Sequence, residues 1–144
     1  MVFASGNAAK QCIKLGSKSN AGKATTRSIS ITSAKAKLTF NAAPWDDDKT
    51  NIKVSVSKGN LTYNNETAPS VTITNMVGKA WTDYTMEISG ASEFTITFEG
   101  PEKLNRFFLD EFKVTKVEEA VPVEITLDEN SDILLRQRRM LMLR

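Results

Sequence analysis

Apolar residues recur at every second position between residues 28 and 127, and this alternation constrains the fold more than any other feature of the chain. The period of two is that of β-strands with one buried face, and no stripe of helical period accompanies it. The pattern therefore predicts an all-β fold in which two antiparallel sheets face each other as a sandwich. The runs are Ile29/Ile31, Ala36/Leu38/Phe40/Ala42, Ile52/Val54/Val56, Leu61/Tyr63, Val71/Ile73, Tyr84/Met86/Ile88, Phe94/Ile96/Phe98, residues 106–117 and Val121/Val123/Ile125/Leu127.

The region before residue 28 has a weaker pattern. Residues 11–15 have the composition of one more strand, whereas residues 16–26 are small and polar and are predicted to form a loop. Within that loop, Gly16 to Thr25 resembles a phosphate-binding loop only superficially. Its glycine spacing is one residue too long, and Ala24 stands where a Mg²⁺-binding Ser or Thr is required.

The length of 144 residues is that of one compact domain. We predict a sandwich module over residues 1–118 whose N-terminal part is incomplete, followed by an edge strand or linker over residues 119–131. Pro122 favours an edge or linker there, because proline does not occupy a central strand. Residues 132–144 are predicted to be a basic tail outside the core.

The net charge of +2 originates in that tail. Residues 132–144 contain four arginines and one aspartate, so the remainder of the chain has a net charge of −1. The body of the protein is therefore not basic, and we expect no nucleic acid among its partners. The tail itself has two interpretations: an amphipathic helix that docks on a partner or a membrane surface, or an end that the fold does not need.

The chain contains no histidine and a single cysteine, Cys12. Without an imidazole, this chain cannot supply a His-based triad or the histidine ligands of a zinc hydrolase site. With one cysteine, it forms neither an intrachain disulfide nor a CxxC site. No apolar run reaches the roughly 18 residues of a transmembrane helix, so no membrane span is expected.

Paired carboxylates are the remaining catalytic candidates, because glycoside hydrolysis needs only two that converge. Glu87, Glu93 and Glu99 lie on neighbouring predicted strands. Their positions alternate with those of the apolar residues, so we expect their side chains to point outward into solvent. We therefore predict that the module is not an enzyme, and a glycoside hydrolase is kept as the third hypothesis.

Asp110 is the candidate metal ligand, because it is an acid within an otherwise apolar strand. A half-buried carboxylate needs a partner, which here is a cation, a backbone N–H or Arg106. The parity of the apolar residues also changes near it, so either both faces of this strand are covered or a β-bulge lies near Asp110. The acidic run Asp46 to Asp48 offers oxygen ligands for Ca²⁺, although a solvated turn is the simpler interpretation.

Three aromatic residues are candidate ligand contacts, because a sugar ring presents apolar C–H faces that stack on flat side chains. Trp45 lies in the polar loop 44–50, where it either contacts a ligand or folds back to cover the end of the sandwich. Trp81 and Tyr84 lie at and after the start of a strand. For these two, core packing and ligand contact are both open.

Several of these segments together resemble jelly-roll β-sandwich modules related to carbohydrate-binding and galactose-binding-like domains, in particular those of secreted and surface proteins of gut bacteria. The similarity covers residues 11–117 and is carried by residues 79–88, Phe94 to Phe98 and Arg106 to Val114, with Cys12 to Gly16 and Ala36 to Phe40 in the first half. In such modules the closing strand reads aromatic-aliphatic-Asp-Asp-aliphatic. Residues 108–112 match this pattern except for Glu111 in the second acidic place.

The resemblance implies a jelly-roll topology and a non-catalytic module of an exported bacterial protein. It implies glycan binding through Trp45, Trp81 or Tyr84, and a structural Ca²⁺ held in part by Asp110. The alternative is a structural or adhesive module with a surface protein as partner, for which the predicted strand 121–127 offers an edge for strand addition. Location would be secreted or at the bacterial cell surface, although residues 1–10 lack the features of a signal peptide.

Overall fold

The computed structural model describes residues 12–48 and 51–118. The predicted edge strand or linker at 119–131 and the basic tail at 132–144 lie outside the described residues. The described chain consists of strands and connecting turns. In order these are β1 (Ile13–Leu15), β2 (Lys23–Thr25), β3 (Ile29–Ser30), β4 (Lys35–Pro44), β5 (Ile52–Val56), β6 (Asn60–Tyr63), β7 (Glu66–Ala68), β8 (Ser70–Ile73), β9 (Thr82–Ser89), β10 (Glu93–Phe94), β11 (Ile96–Glu99) and β12 (Phe107–Val117).

The strands form two antiparallel layers. The first is a six-stranded sheet in the order β1-β12-β4-β9-β6-β7, and the second contains a four-stranded sheet in the order β2-β11-β5-β8. Along the chain, β3 follows β2 and β10 precedes β11. The short pair β3-β10 thus extends the second layer. The central strands β4, β5, β9, β11 and β12 alternate between the layers, which is the wrapping of a jelly roll. The all-β sandwich predicted from the alternation is confirmed.

The core lies between the layers and is built from the alternating residues. Phe40 on β4 links the two sheets, since its ring centre lies 5.3 Å from that of Tyr84 in the same sheet and 4.9 Å from that of Phe98 in the opposite one. Phe40 is only 1% exposed. Replacing so buried a ring by alanine costs about 3–5 kcal/mol of stability.

Two short strands were not expected. β2 lies within residues 16–26, which the sequence predicted as a loop, and β7 follows the turn at Asn64 and Asn65. β2 is an edge strand of three residues with one half-buried position, Ala24, so it has no room for a visible alternation. β7 similarly has a single half-buried position, Ala68, and pairs only with β6.

A β-bulge interrupts β12, as one of the two interpretations of Asp110 predicted. The register of β12 against β4 shifts between Asp110 and Lys113, and Glu111 has φ of 52°. Before the bulge, Leu109 faces the core; after it, Val114 packs against the core. The extra residue thus reverses the parity of the strand.

Candidate functional site

The outer face of the six-stranded sheet carries a second apolar cluster that is separate from the core. Phe108 on β12 and Ala43 on β4 are directly opposite each other in register and point away from the core, yet they are 2% and 0% exposed. Trp45 and Trp81 cover them. The ring centres of Trp45 and Trp81 lie 5.5 and 6.3 Å from that of Phe108. We call Trp45, Trp81 and Phe108 the aromatic cluster.

Trp45 is held between an aromatic ring and two cations. Its ring stacks on Phe108 with an angle of 27° between the planes. The Lys14 ammonium lies 4.0 Å from the centre of the indole, and the Arg106 guanidinium carbon lies 5.2 Å from it. Lys14 reaches this position because it pairs with Phe108 in the β1-β12 register. Trp45 thus folds back to cover the end of the sheet, as one alternative predicted, and it also remains half-exposed, as contact with a ligand requires.

Arg106 fixes the loop that carries Trp45. Its Nη2 donates to Asp48 Oδ1 at 2.7 Å, its backbone N–H donates to Asp48 Oδ2 at 3.2 Å, and Nε also donates to Oδ2. The backbone N–H of Trp45 donates to the backbone carbonyl of Arg106 at 2.9 Å. The hydrogen bonds to Asp48 raise the pKa of Arg106 above its ordinary value. Asp48 is therefore a structural residue of this loop, half-buried against Arg106.

The loop before β9, which carries Trp81, is tied to the loop of Trp45. Lys79 Nζ lies 3.1 Å from Asp46 Oδ1, and this hydrogen bond raises the pKa of Lys79. The Lys79 side chain is 61% exposed, so the pair contributes little energy. Its effect is geometric, because it holds the two tryptophan-bearing loops side by side.

The side chain of Tyr84 packs in the core. It is 3% exposed, stacks on Phe40 and donates a hydrogen bond from its hydroxyl to Asn75 Oδ1 at 3.1 Å. The sequence left core packing and ligand contact open for Tyr84, and its ring is buried. Of the two alternatives, core packing is the one observed. Burial raises the pKa of the Tyr84 phenol.

Asp110 finds its partner in the backbone. Its Oδ1 accepts a hydrogen bond from the N–H of Glu111 at 2.8 Å, within the bulge, while Arg106 pairs with Asp48 instead. In the described part of the chain, no three Asp, Glu or Cys side chains converge as a metal site. Burial and the charge of Asp110 raise the pKa of the neighbouring Cys12 thiol.

The three glutamates proposed as catalytic candidates have separate local partners. Glu87 on β9 pairs with Lys35 at 3.2 Å, Glu93 accepts from the Ser28 hydroxyl at 2.7 Å, and Glu99 lies 4.0 Å from Lys23. Glu87 belongs to the six-stranded sheet, whereas Glu93 and Glu99 belong to the other layer. Their predicted outward orientation is confirmed, and Glu87 does not converge with the other two.

A polar cleft adjoins the aromatic cluster on the same outer face. It has a volume of about 520 Å³ and lies over β4, β9 and β12. The polar residues of this cleft on β4 and β9 were not singled out by their sequence pattern, because outward Thr, Asn and Asp on strands are ordinary. Only the register brings them together, as in the pairs of Asn41 with Asp110 and with Asp83. The polar side chains that line the cleft are Thr39, Asn41, Asp83, Thr85, Glu111 and Lys113.

A second groove lies at the open edge of the sandwich, between β1 and β2. Its volume is about 550 Å³, and Cys12, Ile13 and Phe112 are among the residues that line it. Ile13 and Phe112 are 58% and 44% exposed.

Within residues 12–48 and 51–118 no helix is long and apolar enough to cross a membrane.

Comparison with known proteins supports a class of fold. The fold is an all-β sandwich like that of carbohydrate-binding modules. A similar solved structure is that of TmCBM61 in complex with β-1,4-galactotriose, with a TM-score of 0.51 and 16% sequence identity over 81% of this chain and 80% of that chain. At this identity the similarity shows the fold. No protein-family model matches the sequence, and a search of curated proteins finds no match.

Proposed function

We propose that the protein is a non-catalytic module that binds glycan on the outer face of its six-stranded sheet. The observation that carries the proposal is the aromatic cluster. Two half-exposed tryptophans lie side by side on one sheet face, over a buried Phe108 that belongs to no part of the core. Flat aromatic rings held on rigid strands offer a large contact area at little cost in conformational entropy.

Two further observations support glycan as the ligand class. The polar cleft beside the cluster presents hydroxyl, amide and carboxylate groups of the kind that bind sugar hydroxyls. The structural neighbour TmCBM61 was solved with a galactotriose, which makes a sugar ligand the natural first choice for a sandwich of the same fold. In keeping with the resemblance in sequence, we propose that the module acts in an exported bacterial protein.

Trp45 is flanked by the ammonium of Lys14. A sugar that stacks on Trp45 displaces the Lys14 ammonium from the indole. The interaction lost is worth about 0.5–1 kcal/mol at an exposed site. This cost lowers the net stacking energy that Trp45 contributes to sugar binding.

The test is affinity electrophoresis in gels that contain soluble β-1,4-galactan, xylan, mannan or mixed-linkage glucan, followed by calorimetric titration. We expect retardation by at least one neutral polysaccharide and a loss of about tenfold or more in affinity for Trp81→Ala, which corresponds to about 1.4 kcal/mol. Phe112→Ala is the matched control, because Phe112 is an exposed aromatic that packs on Phe98, away from the cluster.

The outcomes separate the hypotheses. Unchanged mobility in all four polysaccharides contradicts glycan binding and favours the structural or adhesive alternative, in which the partner is a surface protein. Binding that survives Trp81→Ala and Trp45→Ala contradicts this site. Chromatography of the incubated sugars shows whether any is cleaved, and cleavage contradicts a non-catalytic role.

A further inference from the structure

The polar cleft combines six side chains that have no partner in the described part of the chain. Among residues 12–48 and 51–118, none of the six forms a hydrogen bond or an ion pair through its side chain. Elsewhere on the strands, outward polar side chains do pair, as the hydroxyls of Thr62 and Thr67 do at 2.8 Å and those of Thr25 and Thr97 at 2.9 Å. The cleft thus leaves several donors and acceptors available to a ligand on one rigid sheet.

The cleft continues the aromatic cluster along the strand direction. Ala43, Asn41 and Thr39 are successive outward positions of β4, and Ala43 lies under the cluster. Two steps between such positions span about 14 Å, since each residue of a strand rises about 3.4 Å. A ligand that stacks on Trp81 and reaches the hydroxyl of Thr39 is therefore longer than one sugar ring.

The bulge in β12 forms one wall of the cleft. Glu111 and Phe112 together stand opposite Phe40, and the positive φ of Glu111 places this residue at the cleft rim. β-Bulges commonly re-aim a side chain beside a functional site. Beyond the bulge, Lys113 returns to the outward face and pairs in register with Thr39.

The charges of the cleft select against anions. Asp83 and Glu111 are acidic and Lys113 is the one basic lining residue, so an acidic sugar would meet more like charge than opposite charge. Neutral hydroxyl groups, in contrast, can donate to the carboxylate of Asp83 and exchange hydrogen bonds with the amide of Asn41 without like-charge repulsion.

From these observations we propose that the polar cleft binds the continuation of a neutral glycan chain, at least a trisaccharide, which runs along β4 from Trp81 toward Lys113. The inference rests on the proposed function and deepens it by naming the ligand class, an uncharged oligosaccharide rather than a single sugar or a uronic acid chain. Trp81 holds one sugar ring, and Asn41 and Asp83 bind hydroxyl groups of the next.

The test compares galactose with β-1,4-galactobiose and β-1,4-galactotriose, and with their cellulose- and mannan-derived counterparts, by calorimetric titration. We expect affinity to rise at least tenfold from monosaccharide to trisaccharide in the series that binds. The double substitution Asn41→Ala with Asp83→Ala should remove that rise. Thr72→Ala, an exposed threonine on β8 of the opposite sheet, is the matched control and should change nothing.

Failure of this inference is distinct from failure of the proposed function. No binding in any of the three series contradicts glycan binding itself. Equal affinity for monosaccharide and trisaccharide overturns only the role of the cleft. The same holds if the double variant keeps the rise in affinity with chain length while its unfolding midpoint equals that of the parent. If trigalacturonic acid binds as tightly as galactotriose, the assignment of a neutral ligand is overturned. The double substitution Asp83→Asn with Glu111→Gln is expected to reduce the difference in affinity between these two sugars.

Discussion

Arg106 and Asp48 are joined by three hydrogen bonds although 58 residues separate them in the chain. Their side chains are 14% and 12% exposed, so the pair is largely shielded from water. Because the backbone carbonyl of Arg106 also accepts from the backbone N–H of Trp45, Arg106 anchors the backbone of the loop that carries the indole. The aromatic cluster thus depends on the ion pair of Arg106 and Asp48 as well as on its own apolar contacts.

Asp48→Ala is expected to lower the free energy of unfolding by about 2 kcal/mol, because it leaves the guanidinium of Arg106 without its charged acceptor in a shielded position. Urea denaturation measures the change. The matched control is Asp47→Ala in the same loop, where the side chain is exposed and a change within about 0.5 kcal/mol is expected. Equal effects of the two substitutions would show that the Arg106 pair is not formed in solution.

The contact of Lys14 with Trp45 has its own test in the absence of sugar. In a Trp81→Phe background Trp45 is the remaining tryptophan, and Lys14→Ala uncovers its ring. We expect the acrylamide quenching constant of its fluorescence to rise. Lys18→Ala, an exposed lysine of the loop after β1, is the control and should leave quenching unchanged. A quenching constant that does not respond to Lys14→Ala contradicts the stacked ammonium.

Tyr84 links the core to the alkaline stability of the protein. Burial raises the pKa of the Tyr84 phenol above its ordinary value of 10. The folded protein therefore keeps this proton at pH values at which the unfolded chain has lost it. The resulting contribution to stability is complete below pH 10 and is lost as pH rises through the folded-state pKa. The free energy of unfolding should therefore fall with pH above 10.

Tyr84→Phe isolates this contribution. At neutral pH it costs about 1 kcal/mol, because the hydrogen bond to Asn75 is lost. Above pH 10 the variant should lose stability less steeply than the parent in urea denaturation series at several pH values. Parallel slopes for parent and Tyr84→Phe would contradict a buried neutral phenol.

The sandwich was predictable from the sequence because burial of one strand face leaves a direct trace in local alternation. Leu38, Phe40 and Ala42 show this on β4, where each apolar position is buried and each polar one is not. Tyr84 shares the parity of Met86 and Ile88, and that parity decided its place in the core. β2 escaped prediction because an edge strand of three residues buries too little to leave a pattern.

The candidate site was predictable only in part, because its contacts are between residues far apart in the chain. Trp45 and Trp81 were recognised as aromatics near loops, but their meeting over Phe108 depends on the register of β12 against β4. Asn41 and Asp83 are likewise brought together by register alone. Residue types identify which groups are able to bind a sugar, whereas strand pairing decides which of them lie on one face.

Glu111 provides a direct measure of the bulge that shapes the cleft. Its φ of 52° lies in the left-handed region, which costs a residue other than glycine about 1–2 kcal/mol. Glu111→Gly should therefore exceed Glu111→Ala in stability by about 0.5–1 kcal/mol, once the greater flexibility of unfolded glycine, also about 0.5–1 kcal/mol, is subtracted. The same pair of substitutions at Thr115, an extended position of β12, should show the opposite order. If alanine is preferred at both positions in urea denaturation, the bulge does not have this conformation in solution, and one wall of the cleft is lost with it.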